Sequence, residues 1–383
     1  MDSIQRSVVF ISMLILLLSC SGKRASEAVY VAKVDVNSCL THPLSIFDYF
    51  SKVELIPLDS SSLISNEVRH LPSFFAMSES RIYILDEMRL TIHVYDHQGR
   101  QVSVINHHGR GPGEFTTAEK LSVNSFENTL DVLDPGGRII KYHLDDSLTF
   151  YSTVRMHDSY KAVHDMIDSG DGNHVLFSFT ADNTLGRLQD AGGNLSFIDY
   201  KLPEWLYCFA AVDPLFRMGK EIYYYEGYNG DVHALDFTHQ TKSLFLHWDV
   251  SPYQCLLNEI PQEKDTYFYS AFKKSYSDEN ICCSNNMTAA GNLLFTYALF
   301  KFDVCVLTYD FKTQEARLVM RTKEGVKLLP GCYLNGCMYS YVPYEMLEVY
   351  VNKEVVDDHS MQVMQKTIRE KGGLIIKYTL NED

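Results

Sequence analysis

Short apolar runs separated by turn residues recur along the chain, with the two-residue alternation of β-strands. In the segment RIYILDEMRLTIHVYDHQGRQVSVI, the runs that begin at Ile82 and Ile92 lie ten residues apart. The segment NTLDVLDPGGRIIKYHL places Leu130 and Ile140 at the same spacing. Each pair predicts two adjacent antiparallel strands, because alternating side chains point to opposite faces of a sheet.

This pair of runs repeats at a nearly constant interval. The first five copies are separated by 48, 45, 47 and 72 residues, and the last interval holds one repeat plus an insertion. Short strands at such a period are typical of β-propeller blades. The sequence therefore predicts an all-β fold, a six-bladed β-propeller of four-stranded antiparallel blades with two short helical insertions. The first apolar positions of the six units are Ile82, Leu130, Val175, Ile222, Leu294 and Cys337.

The first unit shows how the four strands of a blade follow one another. We predict Val68–Ala76 as the innermost strand and Ile82–Asp86 as the second. Thr91–Asp96 follows as the third strand and Val102–Ile105 as the outermost. Each blade buries a flat apolar face against its neighbour, so that the core continues around the ring.

The apolar run Val53–Leu58 lies before the first unit and has no unit of its own. We predict that it forms the outermost strand of the last blade, beside Leu374–Leu380. Such a pairing joins both ends of the propeller and removes an open sheet edge.

Two segments interrupt the repeat and carry the spacing of helices. Aromatic residues recur at helical intervals in the segment 261–280. The segment Tyr344–Lys371 shows a similar spacing of apolar residues, and Gly372-Gly373 can end its helix. We expect both insertions to cover one end of the ring, either as plain caps or as helices that bind a partner.

The charge of the chain narrows the classes of partner. There are 34 Lys and Arg residues against 49 Asp and Glu, which gives a net charge of −15 at pH 7. A nucleic-acid binder needs a basic face that releases counterions from phosphates, so we expect no nucleic-acid partner. The hydrophobic content of 46% argues against disorder, and the aromatic content of 13% favours β structure.

The N-terminus resembles a bacterial lipoprotein signal. The apolar run Val8–Leu18 is too short to span a bilayer and has the length of a signal-peptide core. The sequence Leu17-Leu18-Ser19-Cys20 resembles a lipobox, in which the cysteine is lipidated after cleavage. An ordinary secretory signal or a short membrane anchor is the alternative.

These features divide the chain into three parts: a signal peptide at 1–19, a lipid anchor and tether at 20–45, and the propeller at 46–383. Lipidation of Cys20 predicts a location in the cell envelope, with the outer membrane as the partner of the lipid. The periplasmic face and the surface face of that membrane both remain open.

Eight cysteines follow Cys20, and their spacing is not that of a dense disulfide framework. Cys332 and Cys337 flank a turn and are the pair that we consider for a disulfide. Cys255 and Cys305 fit small buried apolar positions. The chain lacks a Cys-x-x-Cys pair, so we predict no structural zinc site.

The stretch VELIPLDSSSLI from Val53, the repeat that follows it and the loop GRGPGEF from Gly109 occur in this order along the chain. Together they resemble the six-bladed β-propeller lipoproteins of Bacteroidetes, which are similar in shape to NHL-repeat propellers. The resemblance spans the chain from Val53 to Leu380 and is strongest in the first two blades. It implies the fold and the compartment, and it implies no particular reaction.

The loop GRGPGEF is the most distinctive local motif of the chain. A phosphate-binding P-loop needs a lysine and a following helix, and a dinucleotide-binding loop needs the backbone donor that Pro112 lacks. We interpret the motif as a crossover between blades, in which the glycines permit positive φ and the proline stiffens the bend. The candidate residues of this loop are Gly109, Gly111, Pro112, Gly113, Glu114 and Phe115.

Aspartates recur at the ends of the predicted strands. Carboxylates at equivalent positions of several blades can ring a channel and bind Ca²⁺, but an aspartate at a tight turn also binds its own backbone. We favour the turns and predict no metal site. His107 and His108 are adjacent and point to opposite faces of a strand, so they do not form a metal-binding pair. The recurrent aspartates are Asp86, Asp96, Asp134, Asp236 and Asp310.

The predicted function is that of a binding module, because a ring of blades is a rigid platform whose loops carry specificity. The expected ligand is a glycan, a peptide or a protein of the envelope, with no cofactor and no assigned catalytic residue. The alternative is a metal-dependent hydrolase of the gluconolactonase type, with its site in the central channel. That class uses inward carboxylates and amides from several blades, whereas Phe74–Ala76 and Leu121–Val123 predict innermost strands that are poor in acids.

The lipobox gives a direct prediction. The variant Cys20→Ala should move the protein from the membrane fraction to the soluble fraction, because the lipidated side chain is lost. Detergent phase partitioning of both proteins measures this change. Unchanged partitioning of the variant would contradict the lipobox interpretation.

Overall fold

Six antiparallel sheets make up most of the described chain and form a six-bladed β-propeller. This architecture confirms the fold that the repeat predicts. The signal segment and Cys20 lie outside the described residues. The computed structural model describes residues 29–59, 64, 74–156, 162–178, 184–190, 192–200, 213–227, 229–253 and 280–381.

Four short elements precede the first blade. They are β1 (Tyr30–Lys33), α1 (Val36–Thr41), a 3-10 helix (Ile46–Asp48) and β2 (Phe50–Pro57). Helix α1 begins after Asp35, whose side chain accepts a hydrogen bond from the backbone N–H of Ser38 at 3.0 Å. Residues 30–41 therefore form regular structure within the segment 20–45 that we interpreted as a tether.

The first three blades follow one another along the chain, and the strands of each blade pair in sequence order. The predicted second, third and outermost strands of blade 1 are confirmed to within one residue at each end. Its innermost strand is described from Phe75 onwards. Blade 1 contains β3 (Phe75–Met77), β4 (Ile82–Asp86), β5 (Thr91–Tyr95) and β6 (Gln101–Asn106). Blade 2 contains β7 (Lys120–Asn124), β8 (Thr129–Asp134), β9 (Arg138–His143) and β10 (Phe150–Arg155). Blade 3 contains β11 (Val163–Asp168), β12 (His174–Ser178), β13 (Leu185–Leu188) and β14 (Leu195–Ile198).

The last three blades include strands from the start of the chain. Blade 4 contains β15 (Leu215–Met218), β16 (Glu221–Glu226), β17 (Asp231–Asp236) and β18 (Thr241–Asp249). Blade 5 contains β19 (Cys282–Ala290), β20 (Leu293–Phe300), β21 (Asp303–Asp310) and β22 (Glu315–Val319). Blade 6 contains β23 (Cys332–Leu334), β24 (Cys337–Pro343), β25 (Gly373–Leu380) and β2. Strand β1 pairs in parallel with β18 and is a fifth strand at the outer edge of blade 4.

The innermost strands surround the channel in ring order. Each of β3, β7, β11, β15, β19 and β23 contacts the next, and β23 returns to contact β3. Every residue of the second strands β4 and β8 is buried. Both faces of these strands are covered because each blade packs between two neighbours.

Blade 6 closes the ring with strands from both regions of the chain. Strand β2 pairs antiparallel with β25, with Phe50 opposite Leu380, and β25 pairs with β24 on its other side. The rings of Phe50 and Tyr378 are fully buried, and their centroids lie 4.9 Å apart. The predicted pairing of Val53–Leu58 with the C-terminal strand is thus confirmed.

The insertion between β24 and β25 is helical, as predicted. It contains a 3-10 helix (Tyr344–Met346), α2 (Leu347–Tyr350) and α3 (Asp358–Glu370). Asp357 caps α3 by accepting a hydrogen bond from the backbone N–H of Ser360 at 2.8 Å, and Lys371 ends it in the left-handed conformation. Helix α3 packs on β2 and so covers the closing strands. The other predicted insertion, 261–280, lies outside the described residues except for its last position.

The recurrent aspartates begin tight turns. In each of them one carboxylate oxygen accepts a hydrogen bond from the backbone N–H two residues later, at 2.8 to 3.1 Å. The turn interpretation is therefore confirmed for all five, and the recurrence is explained by local backbone bonding. The five residues are Asp86, Asp96, Asp134, Asp236 and Asp310.

Ring closure predicts the effect of a C-terminal truncation. Removing Gly373–Asp383 deletes β25 from between β24 and β2, so it exposes two strand edges and an apolar core. We expect aggregates in size-exclusion chromatography and no cooperative thermal unfolding. Removing Glu382 and Asp383 alone is the matched control, because it keeps β25 whole and should leave the Tm unchanged. A soluble, cooperatively melting protein without Gly373–Asp383 would show that the ring closes elsewhere.

Candidate functional site at the channel

Polar side chains from four adjacent blades come together near the start of the innermost strands. Lys120 is the first residue of β7, Asp165 lies in β11, and Asp213 lies two residues before β15. Asn286 lies in β19, the innermost strand of blade 5. We refer to Lys120, Asp165, Asp213 and Asn286 as the channel cluster.

Lys120 binds carboxylates from two other blades. Its Nζ donates to Asp165 Oδ1 and lies 3.3 Å from Asp213 Oδ1. Asp165 Oδ2 also accepts a hydrogen bond from the backbone N–H of Leu215 at 2.8 Å. The backbone N–H of Asp213 in turn donates to Asn286 Oδ1 at 3.2 Å. These contacts link blades 2, 3, 4 and 5 through their innermost strands.

The channel cluster is largely withdrawn from solvent. Asp165 is 0% exposed, Asn286 is 2% exposed, and the Lys120 side chain keeps 13% of its surface. Asn286 Nδ2 is buried without a hydrogen-bond partner among the described residues, although Oδ1 of the same amide is bonded. A buried donor without a partner costs about 1–3 kcal/mol, and native proteins rarely leave one unpaired. The amide therefore offers a buried donor to an acceptor group of a ligand.

Burial and the neighbouring charges both shift the pKa values of Asp165 and Lys120. Burial raises the pKa of the Asp165 carboxyl, the Lys120 ammonium lowers it and the Asp213 carboxylate raises it, which leaves the pKa at about 6. Burial lowers the pKa of Lys120, but the two carboxylates outweigh burial and hold that pKa above its ordinary value. Lys120 therefore stays charged, and Asp165 is the group whose charge changes near neutral pH.

One family model matches the chain over most of its length. Its description is "Domain of unknown function (DUF4934)", and it covers residues 31–376. The chain belongs to the DUF4934 family. None of the curated proteins compared with it matches.

Solved structures similar to this DUF4934 chain have the same fold. One is a protein from Bacteroides fragilis whose name describes it, by inference, as exported. Its TM-score with this chain is 0.64, and the two sequences are 16% identical. That likeness covers 92% of this chain and 99% of the other. Another is a member of the DUF4221 family from Bacteroides vulgatus, with a TM-score of 0.50 and 9% identity over 87% of this chain and 98% of the other. At these identities the likeness shows the propeller fold alone.

The expectation that the innermost strands are poor in acids is wrong for blade 3, and in blade 4 an acid lies just before a strand that has none itself. Asp165 lies within β11, and Asp213 lies directly before β15. Asp165 lies between His164 and Met166 in β11, and its carboxylate turns towards the polar groups of other blades. The inward carboxylates are paired with Lys120, a cation supplied by the chain itself.

The repeat of this DUF4934 chain held a signal that could have found the cluster. Lys120 lies ten residues before Leu130, and Asp165 lies ten residues before Val175. The other two members stand at similar offsets, with Asp213 nine residues before Ile222 and Asn286 eight residues before Leu294. Polar residues eight to ten positions before the second strand therefore marked the inner part of four consecutive blades.

The loop GRGPGEF is a folded crossover between β6 and β7. Glu114 Oε2 accepts a hydrogen bond from the backbone N–H of Gly111 at 2.7 Å, and Gly113 O accepts one from the Tyr142 hydroxyl at 2.8 Å. A Cβ on Gly109 would lie 2.0 Å from Glu114 Oε2, so a side chain there would displace the carboxylate that bonds to Gly111. Phe115 is fully buried. The motif thus fixes the path of the chain into β7, which begins with Lys120. The contacts described for the loop lie within blades 1 and 2.

A second polar cluster in blade 4 has the donor types of a metal site. Ligand atoms of Glu226, Asp231 and His233 lie within 4.8 Å of one another. Lys242 Nζ donates to Glu226 Oε1, and Asn229 Nδ2 donates to Glu226 Oε2 at 3.0 Å. Burial raises the pKa of Glu226, but His233 and Lys242 outweigh burial and hold it at about 2. The carboxylate is neutralised by the blade's own cation, so we interpret the group as an ion-pair network.

The two cysteines considered for a disulfide are free thiols. In the register of β23 and β24, Cys332 is opposite Tyr339 and Cys337 is opposite Leu334. The two sulfurs therefore belong to different rungs of the hairpin. Burial raises the pKa of the Cys332 thiol to about 11, which keeps it protonated.

The charge balance of the channel cluster predicts the effect of removing its lysine. The variant Lys120→Met should lose about 3–5 kcal/mol of unfolding free energy at pH 7.5, because it leaves carboxylates buried without their cation. Chemical denaturation at pH 7.5 and pH 5 measures this loss. The variant Asp213→Asn is the control, since it removes one of two like charges and keeps the pair of Lys120 with Asp165.

The pH dependence has a defined sign. The folded protein holds the Asp165 proton more tightly than the unfolded chain between pH 3.8 and about 6. The contribution of Asp165 to stability therefore grows as the pH falls through that window. Without the ammonium the pKa of Asp165 rises further, so the deficit of Lys120→Met should be smaller at pH 5 than at pH 7.5. An equal deficit at both values would show that the cost is one of packing and not of charge.

Proposed function

We propose that this DUF4934 protein is an exported, lipid-anchored binding module of the cell envelope, whose ligand binds at the channel cluster. The observation that carries the proposal is the buried Asn286 amide, whose Nδ2 has no hydrogen-bond partner among the described residues and whose Oδ1 accepts from the backbone N–H of Asp213. A group built from four blades, with a buried donor left over, has the composition of a ligand site.

Two observations support export. The N-terminus has the charge, apolar run and cysteine of a lipoprotein signal, and a structural relative from Bacteroides fragilis is named for its inferred export. Within the described ranges, no helix is long and apolar enough to cross a bilayer. We propose that lipidation of Cys20 attaches the protein to the outer membrane.

The donors and acceptors of the channel cluster favour a glycan among the ligand classes. A hydroxyl group can donate to a carboxylate and accept from an amide or an ammonium at the same oxygen. A sugar carries several hydroxyls on adjacent atoms, so it can reach Asp213 and Asn286 together. A peptide or an envelope protein is the competing class in the test below.

The hydrolase alternative is less well supported by the geometry. A metal-dependent lactonase needs a divalent ion held by inward oxygens, where it polarises a carbonyl and activates water. In the channel cluster, the ammonium of Lys120 lies between the two carboxylates that would hold such an ion. A metal ion would have to displace this lysine, so a binding role fits the site better.

Substitution of Asn286 tests the proposal. Glycan and peptide arrays identify the ligand class, and isothermal titration with the best oligosaccharide measures its Kd. The variant Asn286→Ala should weaken binding about tenfold, since it removes one hydrogen bond of roughly 1.4 kcal/mol.

The matched control is Asn124→Ala. Asn124 is also fully buried in an innermost strand, but it lies at the far end of β7 and its Nδ2 donates to Gly172 O at 3.3 Å. This variant should lose stability and keep its affinity. Equal affinities of the wild type and Asn286→Ala, or binding of peptides alone, would contradict a glycan site at the channel cluster.

A further inference from the structure

We propose that the outer edge of blade 4 lies against the lipid surface of the membrane that holds the anchor, an orientation that rests on the proposed lipidation of Cys20. We define the blade 4 edge by Val29, Val31 and Leu244. All three side chains are exposed. Strand β1, which carries Val31, begins ten residues after Cys20.

The N-terminal segment is fixed to blades 4 and 5. The ring centroid of Tyr30 lies 5.4 Å from that of Phe245 in blade 4 and 5.3 Å from that of Phe311 after β21. The backbone N–H of Val34 donates to Asp249 O at 2.8 Å. Strand β1 therefore belongs to the propeller, and the residues between Cys20 and Tyr30 set the greatest distance between the lipid and this strand.

The remaining connection to the lipid is short. Ten peptide units separate Cys20 from Tyr30, and they span at most about 35 Å when fully extended. A compact domain of this size has a radius of gyration of about 20 Å, so its opposite rim lies roughly 50 Å away. The anchor therefore confines the blade 4 edge to within about 35 Å of the bilayer, whereas the rim of blade 1 can lie farther from it.

The composition of the blade 4 edge fits a lipid surface. Strand β1 presents Val31 to the outside, and the exposed Val29 precedes it. The exposed Lys33 lies on the same strand and suits anionic headgroups. Apolar side chains beside a cation are suited to the interface of a bilayer.

Photocrosslinking of the full-length lipidated protein tests the orientation. The protein is reconstituted into vesicles of phosphatidylethanolamine and phosphatidylglycerol that contain an alkyne-tagged lipid. Photoreactive benzoylphenylalanine replaces either Val31 or Val104. Val104 is the matched control, because it is an exposed valine in the outermost strand of blade 1, three blades away; the two are 56% and 43% exposed. We expect at least tenfold more tagged lipid on position 31, and equal labelling would overturn the inference.

Two further arms separate this inference from the proposed function. Twenty Gly and Ser residues inserted between Ser26 and Glu27 should lower lipid labelling at position 31 to the level of position 104. The longer tether then permits any orientation of the propeller at the membrane. Persistent strong labelling at position 31 would support intrinsic affinity of the blade 4 edge for lipid. Crosslinks from position 31 to a protein and not to lipid would overturn the inference, while loss of vesicle binding in Cys20→Ala would still support the anchor.

Discussion

Closure of the ring by β2 and β25 is the constraint on which the other features depend. A blade has two broad apolar faces, and each face is covered by a neighbouring blade when the ring is complete. Opening one junction would expose side chains on two blades at once, such as Phe50 and Phe295, whose rings stack 6.5 Å apart across blades 6 and 5. The entropic cost of joining distant parts of a chain grows slowly with loop length, whereas the buried apolar area is gained in full.

The closed ring also determines where polar groups can meet. Each innermost strand contacts two others, so a side chain near its start can reach the strands of neighbouring blades. Buried ion pairs seldom add stability, because desolvation offsets the attraction between the charges. The contacts of Lys120 with Asp165 and Asp213 therefore make poor sense as stabilisers alone. Together with Asn286, whose Nδ2 has no partner among the described residues, they fit the proposed site, in which the charges are already fixed before a ligand arrives.

The fold could be predicted from the sequence because its information is local and repeated. The spacing from Ile82 to Leu130 marks one repeat, and each turn-forming aspartate marks a turn within one blade. The pairing of the last strand followed from the apolar run at Val53, which has no repeat unit of its own. The channel cluster could not be recognised in the same way, since each blade gives it one residue. Asp165 in β11 resembles a polar residue in a buried strand, and its partners become apparent when similar positions of the repeat are compared.

The connections between blades add a second level of organisation to the channel. Each innermost strand starts where the chain arrives from the outermost strand of the preceding blade, and Lys120 and Asp213 lie at or just before such starts. By sequence, the longest of these connections runs from β18 to β19 and spans 250–281, directly before the strand that holds Asn286. Loops on a rigid scaffold change readily without loss of the fold. Under the proposed function, the connections next to the paired charges are therefore the part of the chain that would determine which ligand reaches them.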